Sequence, residues 1–375
     1  MRRTLLAATL AATPTLAFTL AAFADDAPLF VYGGEFSAKV QSDFTSVNRS
    51  KPRVNLFTDA DLSFWANHGS WLTLNGDIKF DRSRNANQNS YFPDRSGAFR
   101  SETATLHQLS VTIRPIEGLS FTGGKIHPAF GSGYEETPGQ FYSFATDYEQ
   151  DERIGLGIEY QLPAALGLGE LSASFEMFYL DTSFLSGSFP RGPSLNDVNA
   201  DRTWRYTRGQ FGPSNTGSLA SWTAAVKGGK AGSGLSWQIS VTRQATVEPG
   251  TRAESGQSAS ISYDPTGSGI AITPRFGVTP FVEYAHFTNF QTVAGLERHY
   301  LVGGLAFKTG PWELDLAAGS RTSRGAQTGT DHQESITLTY EILPGFQAGA
   351  GINHITSAGR GSWALAPALN YKVTF

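Results

Sequence analysis

The chain has 375 residues, of which 41 are Gly, 12% are aromatic and 17% are charged, with a net charge of −4 and a pI near 6.0. A bundle of membrane-spanning helices needs several apolar runs of about 20 residues, and only the extreme N-terminus offers one. The 26 Phe, 13 Tyr and 7 Trp argue against disorder, the charge lacks the basic excess that a nucleic-acid partner requires, and the absence of Cys excludes thiol chemistry and disulfides.

Residues 1–24 have the pattern of a signal peptide. Arg2 and Arg3 precede a largely apolar stretch, and Ala22-Phe23-Ala24 gives the small-x-small pattern of a cleavage site. A single membrane anchor is the alternative, but Thr and Pro residues interrupt the short apolar stretch. We therefore expect an exported protein whose mature part, residues 25–375, forms one domain.

Apolar and polar residues alternate with a period of two along most of the mature chain. The pattern is clear in 154–162, 235–242, 312–316 and 336–342. A period of two is typical of β-strands with one apolar face, and the longest of these stretches approaches the roughly 9–11 residues of a tilted strand that crosses a bilayer. The sequence therefore predicts an all-β protein.

The connections between these strands alternate in length. Short turns are predicted near 68–69, 115–118, 163–169, 228–234, 264–270, 309–310 and 344–345. Longer polar loops are predicted at 43–52, 83–101, 128–151, 184–217, 247–254, 288–295, 323–331 and 357–361. This alternation predicts a transmembrane antiparallel β-barrel of about sixteen strands, with short periplasmic turns and long extracellular loops. Pro280 and Pro367 fall inside predicted strands, where we expect a bulge or a strand end.

Two loops have distinctive compositions. Loop 128–151 contains Glu135 and Glu136 together with several aromatic residues, which need a surface to pack on and so favour a loop folded into the barrel. The alternative is an outward acidic loop that binds divalent cations. Loop 184–217 has an excess of two positive charges, and we expect a plain surface loop rather than a site for anions or lipopolysaccharide phosphates.

The last strand has an apolar face that includes Trp363, Leu365 and Tyr371, and it ends on Phe375. In this respect the chain resembles the Gram-negative outer-membrane porins of the general-diffusion type. The resemblance implies that the barrel-assembly machinery reads Phe375 and that the last strand pairs with the first, near 31–41. It also implies a homotrimer in the outer membrane, in contact with lipid and lipopolysaccharide.

In these porins the third outside loop follows the fifth strand and narrows the pore opposite basic wall residues. Loop 128–151 has this position, with a similar Pro-x-Phe-Gly turn at its start. The resemblance implies a constriction with Glu135 and Glu136 on one side and basic residues on the other, namely Lys39, Lys79, Arg114 and Arg153. Opposed charges would give a transverse field that small hydrophilic solutes tolerate.

The polar face of each predicted strand would line the lumen. The acidic residues on that face are Glu35, Asp59, Asp61, Asp77, Glu159, Glu176, Glu283, Glu313, Asp315 and Glu341. The basic residues are Lys39, Lys79, Arg114, Arg153, Lys227, Arg275 and Lys372. So many charges do not form a dry core, and their excess of acid predicts a water-filled channel with a weak preference for cations.

Passive diffusion of small hydrophilic solutes and ions is the leading functional hypothesis. The rivals are a substrate-specific uptake channel, a structural barrel and an outer-membrane hydrolase that would use His107 and Ser110. The sequence contains no G-x-S-x-G or H-E-x-x-H motif, and its seven His residues lack metal-ligand spacing along the chain. We therefore expect no catalytic activity, no cofactor and no metal.

Overall fold

The structure is a computed structural model that describes residues 30–47, 53–82, 97–98, 102–141, 143–162, 170–187, 207–208, 212–229, 234–264 and 276–375. The signal peptide, Arg275 and most of loop 184–217 lie outside these residues. Sixteen long strands make up the described fold. They are β1 Val31–Val47, β2 Arg53–His68, β3 Leu72–Arg82, β4 Glu102–Ile116, β5 Leu119–Ile126, β6 Arg153–Leu162, β7 Glu170–Leu180, β8 Ser221–Gly229, β9 Leu235–Gln244, β10 Glu254–Tyr263, β11 Phe276–Thr288, β12 Leu296–Thr309, β13 Trp312–Gly325, β14 Gly329–Leu343, β15 Phe346–Ser357 and β16 Arg360–Thr374.

Each long strand pairs antiparallel with its neighbours in sequence, and the sheet closes on itself. β1 pairs with β16 from Glu35 opposite Thr374 to Val47 opposite Ser362. The main chain of Phe375 continues this ladder through two hydrogen bonds with Gly34, of 2.9 and 3.0 Å. The predicted closed antiparallel barrel, its sixteen strands and the pairing of its ends are therefore confirmed. A two-residue strand, Gly97–Ala98, adds a short parallel pairing with β2.

The two faces of the barrel wall have the predicted polarity. Exposed apolar side chains cover the outside, for example Leu156 at 58% and Leu365 at 49%. Small or polar side chains such as Ala366 and Thr337 alternate with them and are buried inside. No helix among the described residues has the length and hydropathy needed to cross a membrane.

The alternation of short turns and long loops is less regular than predicted. The barrel end that carries the 26-residue connection between β5 and β6 is called the loop end here, and the opposite end is the turn end. Two of the predicted loops shorten at the loop end to residues 326–328 and 358–359, because β13 to β16 extend further than expected. At the second of these, Ala358 and Gly359 both have positive φ, as a tight hairpin turn requires.

Both strand prolines are accommodated without a bulge, contrary to expectation. Pro280 of β11 pairs with Leu305 of β12, and Pro367 of β16 pairs with Ala350 of β15. Neither register has a break at the proline. A missing N–H costs one hydrogen bond, a net of about 1 kcal/mol, and the long ladders on both sides of it preserve the register. An irregularity of the register occurs instead in β4, where His107 is an extra residue between the paired Leu106 and Gln108.

Candidate functional site

The connection from β5 to β6, residues 127–152, crosses the interior of the barrel. Near its start, the Gly131 amide donates to Ser240 Oγ on β9 at 3.1 Å, and Ser132 Oγ donates to Ser260 Oγ on β10 at 2.7 Å. Further along, the Gln140 side chain donates to a main-chain carbonyl of β16, and the main-chain carbonyl of Gln140 accepts from Lys39 Nζ on β1 at 3.4 Å. The loop therefore reaches from its own strands to the opposite wall. We call residues 127–152 the inward loop.

Glu283, on the inner face of β11, anchors the start of the inward loop. Its carboxylate accepts hydrogen bonds from the amides of Ser132 at 2.6 Å and Gly133 at 3.1 Å and from the Tyr148 hydroxyl at 2.5 Å. The loop covers the side chain, which is 1% exposed, so Glu283 is not a free charge of the lumen. A Cβ at residue 133 would lie 2.7 Å from Glu283 Oε1, so this close approach requires glycine.

Aromatic side chains fill the space between the inward loop and the wall. Phe130 and Tyr148 of the loop pack against Phe287 of β11 with ring centroids 5.3 and 5.7 Å apart. Tyr148 also meets Tyr300 of β12 edge-on, with centroids 4.9 Å apart. Phe144 is completely buried in the same cluster. The loop aromatics thus have the packing surface that the sequence suggested they need, and they fix the loop against one side of the barrel.

Asp147 joins the inward loop to two arginines on the same wall. Its carboxylate lies 2.6 Å from Arg321 Nη1 and 3.9 Å from Arg298 Nη1, and it accepts a hydrogen bond from the Tyr300 hydroxyl at 3.2 Å. Arg321 also pairs with Asp331 at 2.6 Å. Both arginines are less than a tenth exposed. Opposite charges in a partly buried setting form the second anchor of the loop.

A third charged cluster lies at the C-terminal end of the inward loop, where the loop joins β6; we call this junction the loop foot. Lys125, at the end of β5, is buried between Glu152 and Asp181, with its Nζ 3.1 Å from a carboxylate oxygen of each. His107, the extra residue of the β4 irregularity, lies 3.9 Å from both Asp151 and Glu152. Ser110, its proposed hydrolase partner, accepts instead from Gln108 at 3.1 Å. Among the described residues His107 therefore faces the loop foot rather than Ser110.

The environment of the foot changes the proton affinities of its groups. Burial raises the pKa of Glu152 to about 7, although the neighbouring Lys125 ammonium lowers it in part. Burial acts in the same direction on Asp151, but His107, His127 and Arg153 outweigh it and lower the pKa of that carboxyl. Burial also lowers the pKa of His127. Glu152 therefore changes its charge near neutral pH, while Asp151 stays ionised and His127 stays neutral.

The change of charge at Glu152 predicts that the ion selectivity of the channel depends on pH. Above its pKa Glu152 contributes one negative charge at the loop foot, and below it the group is neutral. We expect the cation preference of the channel to fall when the pH is lowered through about 7, and Glu152→Gln to remove this part of the change. Reversal potentials in a salt gradient on either side of that pH measure it, with Glu159→Gln as the control that keeps the change. A pH response of the same size in Glu152→Gln would contradict the assignment.

Glu135 and Glu136 lie in a single helical turn, Gly133–Glu136, in the middle of the inward loop. Both side chains are exposed. The adjacent Tyr134 hydroxyl accepts a hydrogen bond of 2.5 Å from Lys79 Nζ on β3. Lys39 contacts the loop at Gln140 and also pairs with Asp59 at 3.2 Å. The loop thus presents two carboxylates to solvent and has two wall ammonium groups along its course.

The other two basic residues of the predicted constriction lie elsewhere. Arg114 is near the turn end of β4, where it donates to Thr73 Oγ1 at 2.7 Å and lines a polar pocket with Trp65 and Thr73. Arg153 begins β6, and its guanidinium donates to the Asp151 carbonyl at 2.8 Å, at the foot of the loop. The resemblance to the porins implied a constriction that drew on all four basic residues, but the structure places Arg114 at the turn end and Arg153 at the foot of the loop. Alternation assigns a residue to a face of the wall and not to a height along the barrel axis.

Several of the predicted lumen charges pair with each other across strands. Glu35 lies 2.8 Å from Lys372, and Glu159 lies 3.8 Å from Lys227. Asp61 and Asp77 are on β2 and β3, at positions opposite Lys79 and Ser63 in the register. Exposed pairs such as these contribute at most about 1 kcal/mol each, so they shape the field in the lumen more than they stabilise the barrel.

Arg298, Arg321 and Asp147 are the site residues that the sequence analysis missed. The signal for the arginines is present, because Arg298 shares the period of the buried Tyr300 and Val302, and Arg321 shares that of Asp315. The partner of each is on a loop more than 150 residues away in sequence. Nothing in the local pattern identifies such a partner.

No protein-family model matches the sequence, and no curated protein does either. Solved structures do match its three-dimensional fold. The outer-membrane channel DcaP of Acinetobacter baumannii superposes with a TM-score of 0.57 at 12% identity, covering 92% of this chain and 97% of that one. The fold is that of the outer-membrane porins. OmpF of Salmonella typhi, solved in complex with daunomycin, gives a TM-score of 0.56 at 12% identity, with the same coverage of 92% and 97%.

The porin fold extends over the whole described barrel. The anion-selective porin of Comamonas acidovorans covers 92% of this chain and 99% of its own, with a TM-score of 0.53 at 12% identity. At these identities the comparisons establish the porin barrel, and the chemistry of the lumen has to be argued from the residues of this chain.

Proposed function

We propose that this protein is an outer-membrane porin through which small hydrophilic solutes and ions diffuse passively. The observation that carries the proposal is the inward loop, which crosses the lumen of a closed barrel and is anchored to the far wall by Glu283 and Asp147. A fixed loop across a polar lumen narrows the passage without a moving gate, as size-limited diffusion requires.

The charges of the inward loop support a weak preference for cations. Glu135 and Glu136 are exposed on its helical turn, while Lys39 and Lys79 are partly or largely buried and engaged by the loop. An ion in the lumen therefore meets the two carboxylates more directly than the two ammonium groups. In this proposal Arg114 acts at the turn end and Arg153 braces the loop foot, and neither belongs to the constriction.

The remaining parts of the proposal follow from the porin fold. Residues 1–24 would direct export and be cleaved, Phe375 would be read by the barrel-assembly machinery, and the barrel would reside in the outer membrane among lipid and lipopolysaccharide. The assembly would be a homotrimer. A compact, detergent-resistant band of unheated protein that shifts on boiling would support the oligomer, and a monomer band before boiling would contradict it.

Planar-bilayer recording of the purified protein tests the proposed function. We expect stepwise conductance with weak cation selectivity, and we expect Glu135→Gln/Glu136→Gln to shift the reversal potential toward that of a non-selective pore. The matched control is Glu159→Gln/Glu313→Gln, which removes two lumen carboxylates near the turn end and should shift it less. Absent conductance or strong anion selectivity would overturn the proposal, and saturable block by a single solute would favour a substrate-specific channel.

A further inference from the structure

The outer face of β11 and β12 carries a cluster of metal-ligating side chains. His286 of β11 and His299 of β12 lie directly opposite each other in the register, two or three residues from the loop end of their strands. Glu297 precedes His299 by two residues and so shares its face. Val282 and Leu301, on the same alternation, are exposed on the outside of the barrel. The three groups therefore lie at the outer rim, away from the lumen.

The geometry brings their ligand atoms together. One nitrogen from each imidazole and one oxygen of Glu297 all lie within 4.8 Å of one another. The imidazoles of His286 and His299 are stacked, with centroids 4.3 Å apart and an angle of 17° between the planes. Ligands at about 2.0–2.1 Å from a tetrahedral Zn²⁺ are about 3.3 Å apart. Rotations of the side chains that close the gaps by at most about 1.5 Å would complete such a site.

A neighbouring hydroxyl orients one of the ligands. Tyr284 Oη and His299 Nδ1 form a hydrogen bond of 2.8 Å, which leaves Nε2 as the free ligand atom of that ring. Such a contact to the second nitrogen is the usual support of a metal-bound His. The Nε2 atoms of His286 and His299 are both shielded from solvent and lack a hydrogen-bond partner within the described structure. Shielded polar atoms without a hydrogen-bond partner are costly, and a shared cation would satisfy both nitrogens.

We propose that His286, Glu297 and His299 bind a divalent transition-metal ion of the Zn²⁺ class on the outer rim of the barrel. Two imidazoles and a carboxylate suit this class of ion, and three protein ligands leave a fourth position for water. Arg324 of β13, opposite Glu297 in the register, is a positive charge that opposes the cation. The site is independent of the pore, because it lies on the other side of the wall.

Titration of untagged, chelator-treated protein with Zn²⁺ in detergent tests the proposal by calorimetry. We expect saturable binding of about one ion per chain, weakened at least about tenfold in His286→Ala/His299→Ala and about tenfold in Tyr284→Phe, which removes the positioning hydroxyl. Glu297→Gln should weaken binding, and Arg324→Gln should strengthen it. Titration with Co²⁺ adds a spectroscopic readout, since its visible absorption reports the coordination geometry.

His354→Ala is the matched control. His354 is also on the barrel surface, where it pairs with Glu334 at 3.0 Å and stacks on Trp363, and it belongs to no three-ligand group in the described residues. Its removal should leave Zn²⁺ affinity unchanged. The absence of saturable binding, equal affinity in the double His variant, or an equal loss in His354→Ala would each overturn the proposal. The change in gel mobility between unheated and boiled protein verifies that the barrel of each variant is folded. The conductance of each variant should equal that of the wild type.

Discussion

Replacing Glu283 with Ala is expected to raise the single-channel conductance and to make the open level noisier. The Glu283 carboxylate is the acceptor for two loop amides and for the Tyr148 hydroxyl. Each buried donor that loses its acceptor costs about 1–3 kcal/mol, so the variant loses several kcal/mol of anchoring at the start of the inward loop. A loop released from the far wall leaves more of the lumen to water and ions.

The control for this prediction is Glu159→Ala. It also removes one carboxylate from the lumen, but its partner is Lys227 and it has no contact with the inward loop in the described structure. We expect it to alter selectivity slightly and to leave the noise unchanged. Planar-bilayer recording of both variants separates the loss of an anchor from the loss of a charge. A conductance for Glu283→Ala equal to or below that of the wild type would show that the loop does not depend on this anchor.

Replacing Asp147 with Ala is expected to lower the free energy of unfolding by about 2–3 kcal/mol, because a hydrogen bond to a charged group contributes about 1.5–3 kcal/mol and this ion pair is only partly buried. Arg298 loses its carboxylate partner, and Arg321 keeps its ion pair with Asp331. Asp147→Asn preserves the acceptor for the Tyr300 hydroxyl without the charge, so it should lie between the wild type and Asp147→Ala.

Urea unfolding in detergent measures this change in the free energy of unfolding. Trp fluorescence and the difference in gel mobility between unheated and boiled protein report the folded fraction. Asp331→Ala is an informative comparison, because Asp331 contacts Arg321 but lies on β14 rather than on the loop. Only the Asp147 variants should change conductance as well as stability. Wild-type stability in Asp147→Ala would mean that the aromatic cluster alone fixes this part of the loop.

The alternation of side chains, together with the alternation of short turns and long loops, was sufficient to predict the barrel, because a strand between lipid and water has a period of two along its whole length. The pairing of 31–41 with the last strand was implied instead by the resemblance to the porins, and the structure has it. Side-chain alternation placed Leu156 outside and Ala366 inside, as the structure does. It did not predict the strand extensions at the loop end. There the residues are polar, as in 320–324 and 330–335, so the apolar period no longer marks the strands.

The inward position of the loop was implied by the resemblance to the porins, whose third outside loop also follows the fifth strand, but its contacts were not. Glu283 has the same local pattern as any other lumen carboxylate, and only the folded chain shows that Ser132 and Gly133 cover it. Arg114 and Lys79 are likewise equivalent in the side-chain alternation, since both face inward. Their heights along the barrel axis differ because Arg114 directly precedes the turn predicted at 115–118, whereas Lys79 lies nearer to the loop predicted at 83–101, and alternation alone does not use this information.

The Gln140 side chain donates a hydrogen bond to the last strand, and the main-chain carbonyl of Gln140 accepts one from Lys39 on the first. These two partners lie side by side only after β1 and β16 have paired, although the loop itself is made less than halfway along the chain. In a sheet whose β1 and β16 have not yet paired, the two partners of Gln140 are therefore not adjacent. The contacts of Gln140 with both strands form only after β1 and β16 have paired, whereas the anchors formed by Glu283 and Asp147 involve strands that take no part in that pairing.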